Sequence, residues 1–215
     1  MVELGVGTGV IANGLRSHGL DVVGFDLSEA MMRTAIDRIG PRVAMADADQ
    51  LPVAGSTIDT AFLVWVLQLV DDPAITLSEA ARVVRPGGRV IAITSGPEYG
   101  DDDEIARIMD GLEPVRQMRL GQGAAITSSR PGLELVHHGF TTWDDFESTP
   151  AVEADAISDR IYSSLFDVDD HTWRRVVVPV IEQLRALPEP DRARRRRNRH
   201  PLLVWNVTPG VEPSA

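Results

Sequence analysis

The segment MVELGVGTGVIANGL, residues Met1–Leu15, places a glycine-rich turn between a short apolar strand and a helical pattern. Its glycines, Gly5, Gly7 and Gly9, follow the pattern Gly-x-Gly-x-Gly. Glycines at this spacing allow a tight turn and a close approach of the backbone to a ligand at the carboxyl end of a strand, where open α/β sheets bind ligands. The segment therefore predicts an α/β sheet with a binding site at the end of its first strand.

The first hundred residues alternate between apolar, strand-like segments and helical patterns. This alternation is typical of a parallel sheet flanked by helices. We predict strands at residues 2–4, 20–26, 42–47, 58–67 and 88–94. Helices are predicted over residues 10–18, 28–39 and 73–84. Ser28 and Asp72 suit the N-cap positions of the last two helices, and Pro73 suits a first helical position.

The second half of the chain has a weaker pattern. We predict, in order, a helix over 104–119, a short helix ending at Gly139, a strand over 140–149, a largely helical segment over 152–187 and a final strand over 200–207. His137 and His138 would then lie at the C-terminus of the short helix, where imidazoles interact with terminal carbonyls.

The composition predicts one soluble domain. A chain of 215 residues that is 43% hydrophobic is long enough for one well-packed domain and short for two. It has no cysteine, which excludes disulfides and thiolate chemistry. It also has no apolar run long enough to cross a membrane. We therefore expect a cytoplasmic protein that is not attached to a membrane.

The charge argues against nucleic acid as a partner. The net charge is −11, whereas a phosphate backbone is bound mainly by Lys and Arg. The exception is the run from Arg192 to Arg199, in which six of eight residues are arginine. We predict a solvated basic loop there that balances acidic stretches such as Asp101–Glu104. Contact with phosphates or with an acidic partner is the alternative.

Two carboxylates accompany the glycine turn. Glu3 lies two positions before the first glycine, where it would attract a cationic amino group and repel a pyrophosphate. Asp26 ends the second predicted strand, where a carboxylate can accept both hydroxyls of a ribose. A dinucleotide fingerprint would need its third glycine where this chain has Val10, so NAD is a less favoured ligand. The expected ligand combines a ribose with a positive charge.

Five segments together match a known family in order and spacing: VELGVGTG, VVGFDLS, ADADQLPV, IDTAFLVWVLQLVDDP and VVRPGGRV. They resemble the class I S-adenosylmethionine-dependent methyltransferases, in particular the quinone-biosynthesis-like, small-molecule branch called methyltransferase type 11. The match covers residues 2 to about 94 and is specific as an ordered set. The resemblance implies an α/β, Rossmann-like fold: a seven-stranded, mostly parallel sheet flanked by helices, with an antiparallel last strand and a helical insertion at about 152–187 before it.

The resemblance also implies S-adenosyl-L-methionine as the cofactor and assigns residues to its parts. Those expected to contact the cofactor are Glu3, Gly5, Gly7 and Gly9 at the methionine part, Asp26 at the ribose, Leu27 at the adenine face, Asp47 and the Ala48 backbone at the adenine amino group, and the Leu63 backbone at the methionine end. Each residue alone has a simpler explanation. The glycines can serve packing, Asp26 can precede the Ser28 cap, and Asp47 can form a turn.

The implied activity is methyl transfer to a small-molecule acceptor by a single domain, 1–215, with a cofactor-binding half at 1–95 and a substrate-side half at 96–215. No catalytic base is identified. Many members of the family carry histidine after the fourth strand, where this chain has Gln68 and Leu69, which leaves Gln68 as an orienting group. No metal is predicted, because N-capping explains Asp72. Trp65 and other aromatic residues could line an acceptor pocket or pack in the core.

The glycine turn comes unusually early in the sequence. Only Met1–Leu4 precede it, whereas a strand usually runs ~5–6 residues and the family places helical sequence before this strand. We therefore expect that the chain begins late and has weak cofactor affinity and low turnover. An incomplete, methyltransferase-like binding module is the alternative function, and an NAD-dependent oxidoreductase is a more distant one.

Overall fold

The computed structural model describes residues 1–120, 126–127 and 130–209. The chain divides into two compact units. Unit one comprises Met1–Thr94, Gly123–Gly139 and Leu202–Ala215, and unit two comprises Ser95–Gln122 and Phe140–Pro201. The prediction of one domain with two halves is a different division of the chain and stays a prediction.

The strands of the described residues are numbered in chain order: β1 (Val2–Leu4), β2 (Val23–Asp26), β3 (Val43–Met45), β4 (Ile58–Val64), β5 (Val84–Ile93), β6 (Glu98–Tyr99), β7 (Leu133–Phe140), β8 (Asp144–Ser148), β9 (Arg194–Arg199) and β10 (Pro201–Val207). The α-helices are α1 (Val10–Ser17), α2 (Glu29–Ile39), α3 (Pro73–Val83), α4 (Glu104–Met109), α5 (Glu113–Leu120), α6 (Pro150–Ser158), α7 (Asp170–Thr172) and α8 (Val178–Arg185). Short 3₁₀ turns cover Asp110–Leu112 and Ser163–Leu165, and a π-helical stretch covers Trp173–Val177.

Unit one contains a seven-stranded sheet with the order β3-β2-β1-β4-β5-β10-β7. Strands β1 to β5 pair in parallel, and β10 runs antiparallel to β5. This sheet confirms the expected Rossmann-like fold. Because parallel strands end at a common edge, the turns after β1, β2 and β3 are brought together there.

Local capping begins the helices of unit one at the predicted residues. The Ser28 hydroxyl accepts a hydrogen bond from the Met31 N–H at 3.3 Å at the start of α2. The Asp72 carboxylate accepts one from the Ala74 N–H at 2.8 Å, and Pro73 is the first residue of α3. Strand β1 is buried on both faces. Strand β4, predicted to be buried on both faces, buries Ala61 and Leu63 on one face and is half-buried at Thr60, Phe62 and Val64 on the other.

Two predictions for the second half of the chain are wrong. The segment that ends at Gly139 is strand β7, in which His137 and His138 are exposed, because Leu133 and Leu135 alternate in the core with period two. The Arg192–Arg199 run is no solvated loop, since Arg194–Arg199 forms β9. The strand predicted at 140–149 exists as β8, but it pairs with β9 in a second sheet of order β6-β9-β8.

Unit two packs its helices around an apolar cluster that includes Ile105, Met109, Ile157 and Leu184. The helical character predicted for 152–187 is confirmed in α6, α7, the π-helical stretch and α8. Pro179, the predicted interruption, lies near the start of α8 directly after the π-helical stretch. Since proline has no N–H, it breaks the regular hydrogen-bond pattern of the helix at this point.

None of the helices in the described parts of the chain combines the length and the apolar character that crossing a membrane requires.

Candidate cofactor site

The glycine turn between β1 and α1 uses backbone conformations that favour glycine. The φ angles of Gly5, Gly7 and Gly9 are 68°, 54° and 76°. A Cβ atom on Gly5 would lie 2.4 Å from Cγ2 of Val66, and one on Gly9 would lie 3.3 Å from the Ala35 backbone. A Cβ atom on Gly7 would meet nothing within 4 Å. Packing therefore explains the absence of side chains at Gly5 and Gly9, but not at Gly7.

The Asp26 carboxylate holds the turn in place from the end of β2. One oxygen accepts a hydrogen bond from the Gly7 N–H and the other from the Ser28 N–H, both at 2.8 Å. Asp26 thus does more than precede the Ser28 cap. An ionised carboxylate has about four acceptor positions, so about two remain available to a ligand.

Glu3 is a buried carboxyl group at the centre of the sheet. The residue is only 2% exposed, and its Oε2 has no hydrogen-bond partner among the described residues. Burial raises the pKa of Glu3 to about 7, and the nearby charge of Asp26 adds to this shift, while a hydrogen bond with the Ala12 backbone lowers the pKa. A buried oxygen without a partner is costly unless the group is protonated or a donor binds it.

The predicted adenine contacts lie beyond the ends of β2 and β3. The Ala46 N–H donates to the Asp26 carbonyl at 3.2 Å, which brings the segment with Asp47 and Ala48 next to the end of β2. The Asp47 carboxylate accepts from the Asp49 N–H at 2.9 Å, so this residue also stabilises its own turn. Leu27, directly after Asp26, is 64% exposed.

Sequence reasoning missed Met45 as a candidate. This last residue of β3 is in register with Asp26 and is 57% exposed, although its side chain is apolar. The sequence predicted this strand over 42–47, so Met45 did not stand at its end and no sequence signal identified it. Leu27 and Met45 together place two exposed apolar side chains at this edge of the sheet.

Leu63 lies inside the sheet, one residue before the end of β4. It is fully buried and in register with Leu4 and Ala92. Trp65 follows the strand with a φ of 55°, and its N–H donates to the Ile93 carbonyl at 2.8 Å. The buried Oε1 of Gln68 has no hydrogen-bond partner among the described residues. The amide oxygen of Gln68, after β4, can therefore accept a hydrogen bond from a ligand.

The turn, Asp26 and Glu3 form one connected site. Leu63 lies beside this site, because it is the register partner of Leu4, the residue directly before the turn. Asp47 and Ala48 are linked to it through Ala46. Within the residues that the structure describes, no group of three or more histidine or acidic side chains could hold a metal ion.

Comparison with known proteins agrees with this geometry. Residues 2–92, which contain every predicted contact residue, match the protein-family model described as "Methyltransferase domain". The match covers less than half of the chain, and within it these residues are similar to a methyltransferase domain.

Curated proteins that match part of this chain are named as methyltransferases. The malonyl-[acyl-carrier protein] O-methyltransferase of Hahella chejuensis is 35% identical over 99 residues, 44% of this chain and 36% of that protein. The demethylmenaquinone methyltransferase of Corynebacterium kroppenstedtii is 42% identical over 90 residues, 42% of this chain and 39% of that protein. The matched region thus spans less than two fifths of the length of either relative.

Solved structures show the same fold over nearly the whole chain. A candidate type II methyltransferase of Anaeromyxobacter dehalogenans superposes with a TM-score of 0.69 at 18% identity and covers 97% of this chain and 89% of that one. The likeness in fold therefore extends beyond residues 2–92 and supports the Rossmann-like fold for the chain.

Proposed function

We propose that this chain binds S-adenosylmethionine at the glycine turn and transfers the methyl group to a small-molecule acceptor. The observation that carries the proposal is the 2.8 Å hydrogen bond from the Gly7 N–H to Asp26. It joins a turn that is open on the Gly7 side to a carboxylate with spare acceptor positions, which is the arrangement that a ribose beside a close backbone contact requires.

The residues present fit the cofactor. The unpartnered Oε2 of Glu3 suits the ammonium group of the methionine part, and Asp26 suits the ribose hydroxyls. Leu27 and Met45 are exposed apolar side chains that suit the two faces of the adenine ring. Asp47 would accept a hydrogen bond from the adenine amino group, with the Ala48 backbone beside it. The Leu63 backbone would lie at the methionine end.

The bound cofactor supplies an electrophilic methyl group on a sulfonium centre. Methyl transfer is an in-line displacement, so the chain's task is to align the acceptor and to exclude water. Gln68 follows β4 with an unpaired amide oxygen, which would orient a hydroxyl or amino group of the acceptor. No side chain is assigned as a catalytic base.

The names of the relatives and the net charge of the chain support a small-molecule acceptor. The malonyl-[acyl-carrier protein] and demethylmenaquinone enzymes are named for acceptors that are not nucleic acids. The net charge of −11 also disfavours a nucleic-acid acceptor. A cytoplasmic location belongs to the same proposal.

Calorimetric titration tests the cofactor assignment. We expect S-adenosylhomocysteine to bind to the purified protein and NAD to bind far more weakly or not at all, because the carboxyl groups of Glu3 and Asp26 offer a pyrophosphate no positively charged partner. Binding of NAD in preference to S-adenosylhomocysteine would contradict the proposal.

Asp26→Ala is expected to weaken the binding of S-adenosylhomocysteine by about 1–3 kcal/mol, because ligand hydroxyls lose their acceptor. The variant also leaves the Gly7 and Ser28 N–H groups without their partner, so a moderate loss of thermal stability should accompany it. Asp21→Ala is the matched control, since Asp21 is an exposed aspartate that pairs with Arg42. If a folded Asp26→Ala protein binds like the parent, Asp26 does not contact the ligand.

A further inference from the structure

Glu3 combines three properties that a purely structural carboxyl group does not need. It is almost completely buried, one of its oxygens has no partner among the described residues, and it lies two residues before the glycine turn. The group is thus placed to respond to a positively charged ligand group at this turn.

Among the residues that the structure describes, no positively charged group shifts the pKa of Glu3. On the neighbouring strands its register partners are Gly24 and Phe62, which cannot titrate. The charge that faces it comes from Asp26 and is negative. An ionised Glu3 would therefore be both buried and next to a like charge.

Helix α1 and the first residues of β4 also supply no positive charge to Glu3 among the described residues. Helix α1 offers the Ala12 N–H, which is a neutral donor, and its charged residue Arg16 bonds to the carbonyl of Ile39. Asp59 of β4 pairs with Arg85. Because burial raises the pKa of Glu3 to about 7, its favourable state without a ligand is the protonated one below about pH 7.

Resting on the proposed function, we propose that the Glu3 carboxyl group carries a proton in the ligand-free protein and releases it to solvent when the ammonium group of the methionine tail binds. The O–H bond of the carboxyl group breaks, the proton passes to the buffer, and the carboxylate pairs with the ligand ammonium. Glu3 is thereby a specificity residue that makes recognition of the tail depend on pH, whereas recognition of the adenosine part does not.

Two ligands separate these parts of the cofactor. S-adenosylhomocysteine has the charged amino-acid tail, and 5′-methylthioadenosine has the same adenosine and sulfur without it. With burial raising the pKa of Glu3 to about 7, the affinity for S-adenosylhomocysteine should be roughly tenfold lower at pH 6 than at pH 8. The affinity for 5′-methylthioadenosine should be equal at the two values.

Calorimetry in two buffers of different ionisation enthalpy measures the released proton directly. At pH 6 the parent should release close to one proton per S-adenosylhomocysteine bound and close to none per 5′-methylthioadenosine. Glu3→Gln should abolish both the proton release and the pH dependence and leave the binding of 5′-methylthioadenosine unchanged. Glu29→Gln, at an exposed glutamate, should behave like the parent in every respect.

The ligand-free protein gives an independent measurement. Because the pKa of Glu3 lies near 7 in the folded protein and near 4.5 in the unfolded chain, the parent should lose stability as the pH rises from about 4.5 to about 7. Glu3→Gln removes this loss, so its melting temperature relative to the parent should rise over the same interval. A constant difference would contradict a protonated Glu3.

The outcomes also distinguish the inference from the proposed function. If both ligands bind with parallel pH curves, the inference fails and the cofactor assignment stands. If neither ligand binds, the proposed function fails and the inference fails with it.

Discussion

Arg196→Met is expected to lower the free energy of unfolding by about 3–5 kcal/mol, the range for removing one partner of a buried ion pair. The Arg196 side chain is almost completely buried, and it donates to Asp103 at 2.8 Å and to Glu153 at 2.6 Å. Both carboxylates are buried as well, so methionine would leave two charges without their cation. Urea unfolding followed by circular dichroism measures the effect.

Arg195→Met is the matched control, because it makes the same substitution one residue earlier on the same strand. Arg195 is exposed, and an exposed substitution away from buried networks usually changes stability by less than ~0.5 kcal/mol. Equal losses in the two variants would contradict a special role for Arg196. The affinity of Arg195→Met for S-adenosylhomocysteine should equal that of the parent.

A double variant tests whether unpaired charge causes the loss. Glu153 also accepts hydrogen bonds from Ser148 at 2.8 Å and from Tyr162 at 2.5 Å, and a neutral glutamine can retain such contacts. Arg196→Met combined with Glu153→Gln should therefore be more stable than Arg196→Met alone. If adding Glu153→Gln lowers stability further, lost packing of Arg196 against Tyr99 and Phe146 is the better explanation.

The order of elements in residues 1–94 could be predicted because its determinants are local. The apolar run of β4, the caps at Ser28 and Asp72 and the glycines after β1 each act within a few residues of the chain. The family resemblance supplied the number of strands and the antiparallel last strand, which local patterns do not determine.

The second sheet could not be predicted because its determinants are far apart in sequence. Strand β9 is rich in arginine and looks like a solvated segment, but it lies between β6 and β8. Arg196 is buried only because Asp103 and Glu153 reach it from 93 and 43 residues away. Charge runs indicate exposure unless distant partners neutralise them, and the local sequence does not contain that information.

For the candidate site, the sequence identified residue types but not their contacts. The positions of Glu3 and Asp26 followed from the strand and turn pattern. That Asp26 bonds to Gly7, and that Glu3 keeps an oxygen without a partner among the described residues, depends on how β1, β2 and α1 pack. Met45 was missed because an exposed methionine is recognisable only once its strand register with Asp26 is known.

Gly7→Val is expected to abolish measurable binding of S-adenosylhomocysteine, a loss of at least ~100-fold or about 2.7 kcal/mol. The position beside Gly7 is open in the structure, so the valine side chain would fill the space that the ligand needs instead of colliding with the protein. Its positive φ adds a stability cost of about 1–2 kcal/mol.

Two further glycines separate these effects. Gly19→Val makes the same change at a φ of 83° with no atom within 4 Å of the new Cβ, and Gly19 lies beyond the far end of α1. It should lose similar stability and keep full affinity.

Gly5→Ala would place its Cβ 2.4 Å from Val66, so it should lose more stability than Gly19→Val although alanine is smaller. Because Gly19→Val reproduces the backbone strain away from the site, a loss of affinity in folded Gly7→Val that Gly19→Val does not share indicates that the ligand needs the space beside Gly7. If Gly7→Val binds S-adenosylhomocysteine as the parent does, the turn serves the fold alone and the cofactor site lies elsewhere.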